Sequence, residues 1–380
     1  MAMRLDAPKD SELLYVNFNQ DQGCFACGTN SGFRIFNCDP FKQTFRRDFG
    51  TANGGLGIVE MLFRCNILAL VGGGQSPRYP PNKVMIWDDH QNRPIGELTY
   101  RSNVKAVRMS RENVVVALEY WVRYYDFGNL NERGRMETVS NPKGLCALAA
   151  DSSKFVLACP GLQKGQVRIE YPDINRNTRI PAHESTLACL NLNNDGTRLA
   201  TASERGTLVR VWDCMTGDRL YELRRGAEPA EIQCLSFNLD SGHLLVSSDH
   251  GTIHIFKLLD EPVPAAQTTS GSSTPASAAA TPRGEGSNTK SNLAFLTSYL
   301  PKSITPTYIQ SQWSFAQFRL PGSEKSSTRS IAAFGGTANM KNVFLVVCAD
   351  GTFYKCRFDP LKGGECVRED CQRFLFEEEE

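Results

Sequence analysis

The chain lacks any apolar run long enough to cross a bilayer. Runs such as 67–71 are strand-sized, whereas a spanning helix needs about 18 to 20 residues. It also lacks a dominant charge, since 42 Lys and Arg stand against 41 Asp and Glu for a net +1. Wholesale attraction to nucleic acid is therefore not expected, and any anion binding must come from a local cluster. The first ten residues mix charges without an apolar stretch, so no export signal is expected. The 13 cysteines are odd in number and have no framework spacing. They read as reduced thiols of a cytosolic protein, several of them buried as small hydrophobes.

Signatures of catalysis are missing as well. There is no Gly-x-x-x-x-Gly-Lys loop, no Gly-x-Ser-x-Gly elbow and no zinc-type histidine pair among His90, His183, His243, His250 and His254. Cys24-x-x-Cys27 has no second pair and lies in a strand pattern, which favours a core role over a metal site. Gly72-Gly73-Gly74 follows a strand pattern but opens no helix. The chain is not read as an enzyme, and neither metal nor cofactor is expected.

What the sequence has is a repeat. A β-rich run with alternating side chains, often closed by an aromatic residue and Asp, recurs at 33–36, 84–88, 122–126, 167–169, 209–213, 253–256 and 353–356. Most intervals are about 40–50 residues, the length of a four-stranded propeller blade. A second strand-like run precedes several copies, as at 68–71, 114–118 and 199–202. Long helical periodicity is nearly absent. The expected fold is all-β, a seven-bladed β-propeller of WD40-like repeats over residues 1–376, whose closed ring leaves no exposed sheet edges between blades.

The last interval is about 100 residues, one period plus an insertion. From 261 to 291 the chain is rich in Ser, Thr, Pro, Ala and Gly, a composition that cannot bury enough apolar surface to order itself. A long disordered insertion in blade six is expected, a flexible loop over 261–312. Within it Leu293, Leu296 and Leu300 fall at helical spacing, with Phe295 and Tyr299 adding aromatic bulk. This segment either dips into a membrane interface or packs back on blade six. Residues 377–380 are an acidic, solvated tail.

One segment stands out for chemistry: Leu223-Arg224-Arg225-Gly226, at the end of a β-rich stretch. Consecutive side chains on an extended strand point to opposite sides, so Arg224 and Arg225 would serve two different pockets. A guanidinium is permanently charged and forks onto phosphate oxygens. On one side in sequence lie Thr201, Ser203, Gly206 and Thr207, and on the other Ser248, Gly251, Thr252 and His254. Such turns are also the ordinary chemistry of these repeats, and an arginine pair is often a surface ion-pair group of little worth. The combination of two arginines between two hydroxyl-rich turns raises the functional reading.

The motif Leu223-Arg224-Arg225-Gly226 resembles the Phe/Leu-Arg-Arg-Gly motif of the PROPPIN family, the phosphoinositide-binding propellers that include the WIPI proteins. The likeness extends through Phe18-Asn19-Gln20-Asp21, residues 59–66, 70–74 and 80–89, and Asn141-Pro142-Lys143-Gly144-Leu145-Cys146. It implies binding of phosphatidylinositol 3-phosphate and phosphatidylinositol 3,5-bisphosphate at two sites. Carried over by position, the first site takes His183, Thr201, Ser203, Thr207 and Arg224. The second takes Arg225, Ser248, Thr252 and His254, with Gly206 and Arg210 nearby. At Thr201 some relatives have Ser, which keeps the hydroxyl. The resemblance further implies membrane entry by the blade-six loop and a role in autophagy, recruiting partners to the forming phagophore as a monomeric peripheral protein of phagophore or endolysosomal membranes. Asn19 and Asp21 match positions that bind a lipid-transfer partner, although a strand-end turn explains them too.

Overall fold

The computed structural model describes residues 2–4, 12–50, 52–151, 153–258, 311–322, 328–337 and 340–375. Among these, helix is confined to short 3-10 turns such as Pro172–Ile174. No helix there is long and apolar enough to cross a membrane. The remainder folds into seven sheets, each built on a four-stranded antiparallel meander, with a short fifth strand added to three of them. They are numbered here as blades one to seven in chain order.

Each of the seven sequence repeats is the third strand of its blade: Gly32–Cys38, Lys83–Asp88, Trp121–Asp126, Gln166–Tyr171, Leu208–Asp213, Thr252–Lys257 and Thr352–Arg357. Second strands such as Asn113–Ala117 (Asn-Val-Val-Val-Ala) are buried at every residue. They pack between neighbouring blades on both faces, so their apolar character is continuous rather than alternating. Fourth strands such as Phe41–Asp48 form the outer edge and are largely exposed. Their charged and polar side chains discourage pairing with another chain.

The first strands of all seven blades meet around one cavity of about 120 Å³, lined by Asn17, Glu60, Arg108, Ala147, Leu190, Ser236 and Ala332 among others. That common lining makes the seven sheets a closed ring. Each blade keeps its own four strands, so the ring is joined by packing between blades seven and one. Phe353 of blade seven stacks on Phe41 with ring centroids 4.5 Å apart and on Phe25 at 5.9 Å. Phe374 meets Phe25 edge-on at 5.2 Å. Leu13, Val16 and Cys27 of blade one share this cluster with Leu345 and Val347 of blade seven.

Cys24 and Cys27 both lie in the buried second strand of blade one, in core surroundings. Of the 13 cysteines, only Cys65 and Cys371 are exposed.

The chain leaves blade six after Leu258 and is described again from Ser311. The insertion thus joins the third strand of blade six to its fourth, Ala316–Arg319. Leu293, Phe295, Leu296, Tyr299 and Leu300 lie outside the described residues, as does the 377–380 tail. Ser311 and Gln312, which the sequence places at the end of the flexible loop, are part of the ordered body. Gln312–Trp313 forms a parallel fifth strand on blade five, pairing Gln312 with Leu223 and Trp313 with Arg224.

Candidate functional site

The fourth strand of blade five, Arg219–Arg224, pairs with the third so that Leu208 lies opposite Arg224. The ladder continues one residue further, since the Arg225 amide donates to the Thr207 carbonyl at 3.0 Å. Leu223 is fully buried and anchors this strand in the core it shares with Val209, Val211 and Phe256. The two arginines that follow are therefore fixed at the seam between blades five and six. Both are buried, 8% and 6% exposed, which is rare for a side chain that carries a full charge.

Their surroundings differ, as alternation along a strand requires. Arg224 donates from Nε to the Ser311 hydroxyl at 2.8 Å. Arg225 donates from Nε to the Gly206 carbonyl at 3.1 Å and from a terminal nitrogen to the Glu228 carbonyl. Its other terminal nitrogen lies 3.3 Å from His250 Nδ1. Burial pulls the Arg225 pKa down from the ordinary arginine value, opposed by the charges of Asp249 and Glu228. It remains a cation at any physiological pH. Among the described residues Arg225 thus bonds two carbonyls and an imidazole but pairs with no carboxylate, whereas the nearby Arg210 is paired to Glu222 at 2.9 Å. Glu222 also takes Arg219 at 2.7 Å.

Gly206, which accepts from Arg225, turns at φ +61°, and a Cβ there would sit 1.7 Å from the Ala230 carbonyl oxygen. Only glycine fits a turn that is both left-handed and so closely approached by backbone.

On the side of the first expected site, Thr201 is fully buried. Its hydroxyl lies 2.9 Å from His183 Nε2 and accepts from Trp212 Nε1, also at 2.9 Å. His183, Thr201 and Trp212 thus form a buried network that ties the second and third strands of blade five to the connection leaving blade four. Ser203 is buried and Thr207 half-buried at the turn into the third strand. Burial, then the charge of Arg210, lowers the His183 pKa to about 4.

On the side of the second, His254 is 9% exposed and its Nδ1 lies 3.3 Å from the Ser314 hydroxyl. Burial first, then Arg225 and His250, lowers its pKa to about 4. Ser248 is fully buried, and its hydroxyl has no hydrogen-bond partner among the described residues. Such an orphaned group costs about 1–3 kcal/mol unless something satisfies it. Thr252 is half-buried at the turn beside it. His250 and Ser314 join the expected residues here, and Ser311 joins Arg224 on the first side. No spacing in the sequence marks them, since each arrives through a turn or through the returning insertion.

The depressed histidines carry a stability prediction. A histidine near 4 in the folded chain and near 6.5 unfolded takes its proton more readily unfolded, so stability falls as pH drops from 6.5 towards 4. Each contributes up to about 3 kcal/mol over that window. Urea unfolding at pH 7 and pH 5 should show the loss, and the His183→Asn, His254→Asn double variant should flatten it. An unchanged slope in the double variant would contradict the assignment.

Asn19 and Asp21 lie between the first two strands of blade one. Asn19 is buried, accepts from the Cys24 amide at 3.1 Å and donates to the Phe63 carbonyl at 3.2 Å. Asp21 accepts from the Gly23 amide at 2.9 Å and pairs with Arg64 of the neighbouring blade at 2.8 Å. Both shape the turn and join blades one and two. Asp21 and Arg64 are also open to solvent, and so to a partner.

The ring and its seam define a seven-bladed propeller that carries two buried, separately housed arginines between adjacent blades. The PROPPIN family profile matches residues 12–375, and the chain belongs to that family. It is 38% identical to autophagy-related protein 18e of Arabidopsis thaliana, over 98% of this chain and 90% of that protein. It is 35% identical to autophagy-related protein 18 of Yarrowia lipolytica, over 93% and 94%. Among solved structures, Kluyveromyces lactis Hsv2 with its complete loop 6CD superposes with a TM-score of 0.70 at 22% identity, covering 94% of this chain and 98% of that one. KlAtg21, solved in complex with the coiled coil of AgAtg16, gives 0.72 at 22% identity, over 94% and 98%. These structural likenesses speak to the fold alone.

Proposed function

We propose that the protein is a peripheral membrane effector. It binds phosphatidylinositol 3-phosphate and 3,5-bisphosphate through two pockets at the seam of blades five and six, and it recruits partners to the phagophore during autophagosome formation. The observation that carries this reading is the pair of consecutive buried arginines with separate surroundings. Arg225 in particular has no carboxylate within ion-pair distance among the described residues. Arg224, Ser203 and Thr207 form the first pocket, with the His183–Thr201 pair holding its wall. Arg225, Ser248, Thr252 and His254 form the second, where a phosphate oxygen would satisfy the Ser248 hydroxyl. No step in this reading is catalytic.

Relatives named as autophagy-related proteins support the process, and a neighbour solved with a coiled coil supports a protein partner of that class. The exposed Asp21 side of blade one is the proposed face for a lipid-transfer partner. A lipid-independent scaffold is the second reading, favoured by the structural engagement of Asn19, His183 and Thr201.

Each pocket alone is modest, but two on one rim act together because the second lipid binds at high effective concentration. The insertion adds apolar burial as a third anchor. Flotation with liposomes of defined phosphoinositide content separates the readings, since a scaffold stays unbound on all of them. Leu296→Asp with Leu300→Asp should weaken liposome binding about tenfold or more, since a charge in the bilayer interface is costly, and leave soluble headgroup binding unchanged. Equal loss of both would count against insertion.

A further inference from the structure

The insertion returns to the ring along residues 311–314, and this short strap crosses the seam where the arginines lie. It first pairs with the blade-five edge at Leu223 and Arg224. By Phe315, whose amide donates to the Ile255 carbonyl at 2.8 Å, it has reached blade six. Two of its hydroxyls are spent on the proposed pockets, one on each. Ser311, 2% exposed, accepts from Arg224 Nε at 2.8 Å. Ser314 lies 3.3 Å from His254 Nδ1.

We propose that Ser311 and Ser314 are positioning residues for the two headgroup pockets, so that one strap orients a phosphate-binding group in each. The inference rests on the two-pocket reading above and adds to it the residues that set geometry. Fixing a guanidinium at Nε fixes its plane, and with it the direction of the two terminal amino groups that fork onto a phosphate. The same logic applies to the imidazole, whose tautomer follows from the bond its other nitrogen makes. When the Ser314 hydroxyl donates to Nδ1, the ring proton sits on Nε2, ready to donate to a phosphate oxygen. Because the strap is also the end of the insertion, the anchor and the pockets are covalently one unit.

The test uses the full chain, titrated calorimetrically with soluble dibutanoyl phosphatidylinositol 3-phosphate. An Arg225→Thr background reports the first pocket and an Arg224→Thr background the second. Ser311→Ala should weaken binding about fivefold in the first background, the worth of one lost hydrogen bond, and leave the second within error. Ser314→Ala should do the reverse. Ser311→Thr, which keeps the hydroxyl, should restore affinity, and it carries the test should Ser311→Ala fold poorly. Equal losses in both backgrounds would show a structural role only, and no loss in either would overturn the proposal. Should both arginine backgrounds bind as the parent protein does, the two-pocket reading falls first and this inference with it.

Discussion

Replacing Arg224 and Arg225 together by threonine should abolish binding to phosphoinositide liposomes while the ring stays folded. A charge-assisted hydrogen bond contributes about 1.5–3 kcal/mol, and each guanidinium offers its pocket a fork of them. Either single change should cost about tenfold to a hundredfold. Because the pockets reinforce one another on one surface, the double variant should lose more than about a hundredfold. Folding is expected to survive, since Leu223 keeps the strand in its core and the carbonyl left by Arg225 at Glu228 belongs to an exposed residue. Circular dichroism and urea unfolding check that condition, with an expected cost of about 1–2 kcal/mol. A folded double variant that still sediments with liposomes would exclude the seam as the site.

The second large effect concerns the ring itself. Phe25→Ala should destabilise the protein by about 3–5 kcal/mol, the range for removing a buried aromatic side chain. Phe25 is fully buried. It stacks on Phe36 at 5.0 Å within its own blade and on Phe353 of blade seven at 5.9 Å. Among the described residues no strand crosses between those two blades, so the cavity opens where closure depends on side chains. Urea unfolding of the variant reads the effect. A loss below about 1 kcal/mol would mean that the blade seven to blade one junction is held elsewhere.

The fold was largely legible because the repeat is a packing unit. Third strands carry their alternating β-rich pattern, and buried second strands such as Asn113–Ala117 carry a continuous apolar one. Fourth strands were not legible. Glu132–Glu137 reads Glu-Arg-Gly-Arg-Met-Glu and is mostly exposed, so burial imposes no pattern on it. First strands can be as short as Ala147–Leu148, too brief for periodicity to register.

At the candidate site, the arginines and hydroxyls were legible because their chemistry is local to one motif and two turns. The separate housing of Arg224 and Arg225 follows from strand alternation, and the structure gives them different partners. The contribution of Ser311 and Ser314 was hidden, since a polar stretch at the end of a Ser-rich insertion looks like more loop. The fold reveals it, pairing Gln312 with Leu223 and setting Ser311 on Arg224 and Ser314 beside His254. The resemblance makes His183 and Thr201 first-site residues; in the structure their side chains meet each other, and the Thr201 hydroxyl also accepts from Trp212.

The most direct measurement is the stoichiometry of headgroup binding to the full chain. Calorimetric titration with a soluble phosphatidylinositol 3-phosphate should give two sites per chain, one site after either Arg224→Thr or Arg225→Thr, and none after both. A single site in the parent protein, or one substitution that removes all binding from a folded chain, would contradict separate pockets on the two sides of the blade-five strand.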